Sequence, residues 1–158
     1  MSERSSKAEP IILCDTREQL PLTLPNSRRA TLATGDYSVE GYEQLIAVER
    51  KTLEDLYGCF GQSRERFVRE LDRLAAYRYP AIVIEASLAQ VVAGARHSQV
   101  HPNSAIGSLV AWSTRYRIPC WLCGNRAGAA TVTHRILTKA AKYIDEGGHD
   151  DGQPPAAG

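Results

Sequence analysis

Three short apolar runs in this chain end on acids, and that pattern constrains the fold more than any other feature. They are Ile11-Ile-Leu-Cys-Asp15, Gln44-Leu-Ile-Ala-Val-Glu-Arg50 and Ala81-Ile-Val-Ile-Glu85. Runs this short, bounded by turn signals, read as buried strands. A strand that is apolar first and charged last delivers its charge to the edge of a sheet, where open α/β folds build their sites.

The intervals supply the rest of the architecture. Residues 18–29, with Pro21, Pro25 and Asn26, read as irregular. Residues 30–34 and 37–39 read as strands meeting at Gly35-Asp36. Thr52 is placed to cap a short helix through Tyr57, followed by a loop bracketed by Gly58 and Gly61. Residues 62–77 repeat apolar positions at helical spacing, and 87–93 form a short helix before a polar loop, 94–101. Another helix starts at Asn103 or Ser104, residues 118–123 form a buried strand, and Asn125 caps a last helix. That helix carries Ala129, Val132, Thr133, Ile136, Ala140, Tyr143 and Ile144 on its inner stripe. Such alternation predicts an α/β fold, a central mixed β-sheet flanked by helices on both faces. The organisation is one domain, residues 10–147, between a flexible tail, 1–9, and a flexible acidic tail, 148–158.

The 158 residues are 43% apolar and 23% charged, enough for one globular core. No apolar run approaches the roughly 20 residues of a membrane span, and MSERSSKAEP lacks the apolar stretch of a secretory signal. Net charge is +1, but residues 145–158 hold four acids and no Lys or Arg, leaving +5 on residues 1–144. The 15 Arg to 4 Lys suit phosphate recognition, and a GC-rich genome produces the same bias. Cys120-Trp-Leu-Cys123 has thiol-redox or zinc spacing. In a strand, however, residues three apart point to opposite faces, which favours ordinary core cysteines.

The charges at the strand ends carry the chemistry. Asp15, Asp36 and Glu49 are hard oxygen donors of the kind that hold Mg2+ or Mn2+ alongside several waters. Such a cation lowers the pKa of a water and neutralises a scissile phosphate. Lys51 shares a strand face with Glu49, placed to orient that water or stabilise the oxyanion, while Arg50 points away. Alone, Asp-x(n)-Glu-x-Lys is a weak pattern.

The wider string Gly35-Asp36 … Val48-Glu49-Arg50-Lys51-Thr-Leu-Glu-Asp55 resembles the G-D-x(n)-E-R-K-x-x-x-D signature of XPF-type structure-specific endonucleases, within the restriction-endonuclease-like fold. Asp15-Thr-Arg-Glu18 is similar to the family's D-x-R-E, and Gly58 to Arg64 to its Gly-rich loop with a phosphate-reaching Arg. The resemblance covers residues 10–146. It implies a Mg2+- or Mn2+-dependent enzyme cutting DNA at branches, flaps or single-to-double-strand junctions. Asp36 and Glu49 would bind metal, Lys51 would serve the attacking water, and Asp15 and Glu18 would be supporting acids, Asp15 as a third ligand. Arg50 and Asp55 would hold the site or nearby DNA, or form a mutual ion pair. Arg17, Arg64, Arg66, Arg69 and His97 are the candidate DNA contacts. On the 62–77 helix Arg66, Arg69 and Arg73 form a basic stripe, which either tracks a DNA backbone or pairs with Glu65, Glu70 and Asp72. Trp112 and Tyr116 read as core or a dimer interface.

The chain departs from the family in two respects. No helix-hairpin-helix repeats or helicase region accompany the nuclease-like part, which suggests a stand-alone bacterial or phage protein, cytoplasmic and nucleoid-associated. Such a protein would act as a homodimer or with a separate DNA-binding or helicase partner. Within the loop, Ser63 precedes Arg64, and Phe67 or Val68 takes the place of a family Gln. The alternatives are an inactive nuclease-like DNA-binding subunit, or another nuclease of this fold acting on linear duplex.

Overall fold

A computed structural model describes residues 7–147; the expected acidic tail 148–158 and residues 1–6 of the expected N-terminal tail lie outside the described residues. Lys7, which the sequence assigns to a flexible tail, pairs with Asp145 at 2.7 Å. Six strands form one mixed sheet. They are β1 (Ile12–Asp15), β2 (Ser27–Ala30), β3 (Tyr37–Val39), β4 (Ile46–Lys51), β5 (Tyr79–Ile84) and β6 (Cys120–Leu122), in spatial order β2-β1-β3-β4-β5-β6. β3 runs antiparallel to both β1 and β4, while the β1–β2, β4–β5 and β5–β6 pairs are parallel. The helices are α1 (Leu53–Phe60), α2 (Arg64–Ala75), α3 (Leu88–Ala93), α4 (Pro102–Tyr116) and α5 (Arg126–Asp145).

The two-residue period of the strands splits the core. Ala47, Ile82 and Ile84 face α1–α4 and pack with Leu56, Phe60, Phe67, Leu71, Leu74 and Trp112. Ile46, Val48, Ala81 and Val83 face the other way, onto Ala129, Leu137 and Ala140 of α5. Helices therefore cover both faces, as the alternation predicts. The same period carries past the apolar part of β4: Glu49 and Lys51 fall on the α1–α2 side, and Arg50 on the α5 side.

The helix starts follow their caps. Thr52 accepts from the Asp55 N–H, Ser87 and Gln90 close a capping box, and Asn125 accepts from the Gly128 N–H at 2.7 Å. α4 starts a residue or two earlier than expected because His101 Nδ1 caps the Asn103 N–H and Pro102 suits the first turn.

Several expected boundaries move. β2 lies in the stretch read as irregular, and 31–34 are not a strand. β2 is an edge strand of exposed residues, Ser27-Arg-Arg, with no apolar alternation to reveal it. The Leu32 N–H is taken by the Asp15 carboxylate rather than by a neighbouring strand. α1 continues through Gly58 to Phe60 because Cys59 and Phe60 are buried. The 118–123 run forms the opposite sheet edge, with Trp121 half-exposed rather than buried. Cys120 packs into the α1–α4 core and Cys123 into the α5 core, on opposite faces, and burial raises both thiol pKa values. In α5 the inward residues include Leu137 and Ala141, whereas Tyr143 is exposed. Trp112 is core, packed against Phe60 and Phe67.

Candidate active site

The site forms where the start of β3 meets the end of β4. Gly35 turns the chain into β3 with φ +78°, and a Cβ there would sit 3.2 Å from the Val48 carbonyl oxygen. That close approach favours glycine. The Asp36 N–H donates to the Val48 carbonyl at 2.8 Å, and the Asp36 carboxylate accepts from the Arg50 N–H at 2.9 Å. Asp36 is thereby held beside Glu49, whose pKa its charge raises.

Glu49 is 5% exposed. Lys51 Nζ lies 3.2 Å from its Oε1 and 4.9 Å from the centre of the Phe67 ring on α2. Burial lifts the Asp36 carboxyl from its ordinary 3.8 to about 6, against the pull of the Arg50 N–H. Burial and the Asp36 charge push Glu49 well above the carboxylate range. Burial works against the Lys51 charge, but its neighbours, Glu49 foremost, outweigh it and the pKa rises, so the ammonium stays protonated.

Glu70 was not singled out as a site residue. It sits on α2 one turn after Phe67, is half-buried, and its charge acts on Glu49, Asp36 and Lys51. The available signal was its i+3 spacing from Phe67, which puts both on one helix face. That signal had no meaning until Phe67 was known to pack on Lys51.

Asp15 is close in the backbone, its N–H donating to the Asp36 carbonyl at 2.8 Å. Its carboxylate is engaged elsewhere, by the Leu32 N–H at 3.0 Å and Arg17 Nε at 2.6 Å. Those donors outweigh burial and hold its pKa low. Arg50 lies on the α5 side between two acids: Nε is 2.6 Å from Glu85 and a terminal nitrogen 3.0 Å from Glu18. Glu18 also accepts from the Tyr37 hydroxyl at 3.1 Å. Glu18 and Arg50 thus buttress the strand ends from behind. The alternative of an Arg50–Asp55 ion pair is not realised: Arg50 takes Glu18 and Glu85, and Asp55 is exposed on α1.

A buried polar atom tests whether the site fits a divalent cation. Glu49 Oε2 is buried and has no hydrogen-bond partner among the described residues. An oxygen in that state is costly unless a cation or proton meets it. Asp36 and Glu49 are hard oxygen donors, and Mg2+ takes one or two carboxylates with waters completing its shell. The donor set fits, although among the described residues no three His, Cys, Asp or Glu side chains converge as a ready-made metal cluster.

The expected DNA contacts divide. Arg17 is 69% exposed, bonded to Asp15 and the Leu32 carbonyl, with its charge reaching Asp36. Arg66 and Arg69 are exposed, and neither they nor Arg73 forms an ion pair among the described residues, so the ion-pair reading of that helix face does not hold. Arg64 turns to α4, donating to Ser108 at 3.0 Å and stacking 5.0 Å over Trp112. His97 is exposed on the 94–101 loop and lines a groove of about 540 Å³ with Glu54, Gln62 and Ser63.

A family model described as the ERCC4 domain matches residues 12–136. XPF from Aeropyrum pernix is 21% identical with a TM-score of 0.67, over 87% of this chain and 68% of that one. XPF from Aeropyrum pernix in complex with DNA is 22% identical with a TM-score of 0.66, over 84% of this chain and 66% of that one. No curated protein matches. The structural likeness establishes the restriction-endonuclease-like α/β architecture.

Proposed function

The chain belongs to the ERCC4 domain family, and from that premise we propose that it is a Mg2+- or Mn2+-dependent endonuclease cutting DNA at branches, flaps or single-to-double-strand junctions. The observation that carries the reading is the juxtaposition of two cation-seeking carboxylates, the buried Glu49 and the half-buried Asp36, with a Lys51 held protonated beside them. The DNA-bound state of one structural relative supports DNA as the partner.

Asp36 and Glu49 would hold the cation. When bound, it would activate a water and neutralise charge on the scissile phosphate. Because its pKa is raised, Lys51 acts as a hydrogen-bond donor rather than a general base. Its ammonium orients the attacking water or stabilises the phosphorane oxygens. Glu49 and the Phe67 ring fix that ammonium in place. Arg50 does not touch the substrate; it locks Glu18 and Glu85 so that the strand ends keep their geometry. Arg17 and the unpaired Arg66 and Arg69 supply phosphate contacts. Homodimerisation fits the half-exposed Trp121 on the open edge strand β6, and light scattering of the purified chain measures it.

End-labelled fork, 3′-flap and linear DNAs, incubated with Mg2+, Mn2+ or EDTA, test the reading. Cation-dependent cutting near the junction is expected, with Asp36→Ala and Lys51→Ala each reducing it by about 100-fold or more at retained circular dichroism. Equal activity in Asp36→Ala sinks the site. Binding without cutting in the parent protein makes the chain a DNA-positioning subunit, and efficient cutting of linear duplex removes the junction specificity.

A further inference from the structure

Charge is distributed along this chain in a way that the Asp36–Glu49 site leaves unused. Residues 86–144 contain seven Arg or Lys and no Asp or Glu, whereas residues 1–85 carry net −2. The positive part is α3, α4, β6 and α5, and on α5 it lines a groove. This groove, of about 480 Å³, runs between α5 and the segment that leads into β2. His134, Arg135, Lys139 and Thr131 form one wall and Thr23-Leu24-Pro25 the other, and no acid lines it. Arg135 and Lys139 are exposed, and neither forms an ion pair among the described residues. Like charges one turn apart disfavour a helix, and an anion laid against both relieves the repulsion.

The place of the groove decides which phosphates it meets. α5 starts beside the site, where Arg126 comes within 3.9 Å of Glu85. At 1.5 Å per residue, Arg135 and Lys139 lie about 14 and 20 Å farther along the helix, out of reach of a phosphate at the cation site. α5 also covers the face of the sheet opposite α2 and its exposed Arg66 and Arg69. Duplex DNA is stiff over these lengths, so one straight duplex lies along one face, whereas the arms of a branched DNA reach both. We propose that the α5 groove binds the phosphate backbone of a second duplex arm, with Arg135 and Lys139 as the contacts, while the α2 face takes the first. The inference rests on DNA being the partner, as read above.

The test is fluorescence anisotropy in EDTA, which withholds the cation, with the full chain binding a fork or a short linear duplex. The parent is compared with Arg135→Gln/Lys139→Gln, with the charge-keeping pair Arg135→Lys/Lys139→Arg, and with Arg115→Gln, which removes a charge from α4. The Gln pair is expected to weaken fork binding about tenfold and to make its logarithmic salt dependence shallower by about two. The linear duplex still has the α2 face and is expected to lose no more than about threefold. The charge-keeping pair and Arg115→Gln are expected to bind the fork within about twofold of the parent. Fork binding by the Gln pair equal to the parent's overturns the proposal. An equal loss on fork and linear duplex also overturns it, because the groove is then not a second-arm site. So does a loss that Arg115→Gln matches, which marks diffuse charge rather than a groove. If the parent binds neither DNA, it is the reading of DNA as the partner that fails.

Discussion

Asp36 is where burial and chemistry meet most directly. Its carboxyl rises from 3.8 to about 6, so without a cation the folded chain holds that proton more tightly than the unfolded chain does. The stability from this group is complete below about pH 4 and is lost as pH rises through about 6, a loss on the order of 3 kcal/mol. Glu49, also raised by burial, contributes to the decline in the same direction. Asp15 is lowered, so its contribution is present above its ordinary value and lost only in stronger acid. Urea denaturation in EDTA from pH 4 to 8 is expected to show falling stability, with a shallower fall in Asp36→Asn and a flattened one when Mn2+ is added. Rising stability across that range would contradict the burial of Asp36. Arg50 makes a second prediction at this scale. Arg50→Ala strands Glu18 and Glu85, both largely buried, and is expected to cost about 3 kcal/mol. Arg50→Lys recovers only part of that, because an ammonium lacks the planar fork that bridges both acids. Sequence spacing showed that Arg50 points away from Glu49. It did not show what Arg50 meets there, since Glu85 lies 35 residues on, at the end of the neighbouring strand.

At the scale of elements, legibility followed burial. The apolar strands β1, β4 and β5 and the periodic helix α2 were readable because their side chains pack on a core and must follow its period. β2 was not, because an edge strand of exposed Ser and Arg has no such constraint. The cap residues Thr52 and Asn125 were readable because their chemistry is local. The arginine face of α2 left two readings open, and the structure removed the ion pairs. The double variant Arg66→Ala/Arg69→Ala is expected to weaken DNA binding across sequences and to make the logarithmic salt dependence shallower by about two. Fluorescence anisotropy over a salt series measures it. The start of α5 depends on a close approach instead: a Cβ at Gly128 would lie 2.0 Å from the Cys123 carbonyl oxygen. Gly128→Ala is expected to cost about 2 kcal/mol or more, read by thermal melting, because backbone rather than a flexible side chain stands in the way.

For the molecule as a whole, the decisive property is a sheet with two dry faces and one functional edge. α1–α4 cover one face and α5 the other, so in the inner strands charged residues are tolerated only where the strands run out. That confinement made much of the site legible in one dimension. Asp36, Glu49 and Lys51 stand at strand ends because an apolar interior leaves them nowhere else. The sequence by itself determined the α/β class, the strand ends that carry the acids, and the opposite facing of Lys51 and Arg50, all consequences of the two-residue period. Only the tertiary structure decided which acids share a site. Asp15, in line by strand order, spends both oxygens on Leu32 and Arg17, while Glu70, 21 residues beyond Glu49, acts on it by charge from the helix whose Phe67 packs on Lys51. The physical reason is that period and capping are local, whereas a carboxylate's partner depends on which helix face settles against which strand.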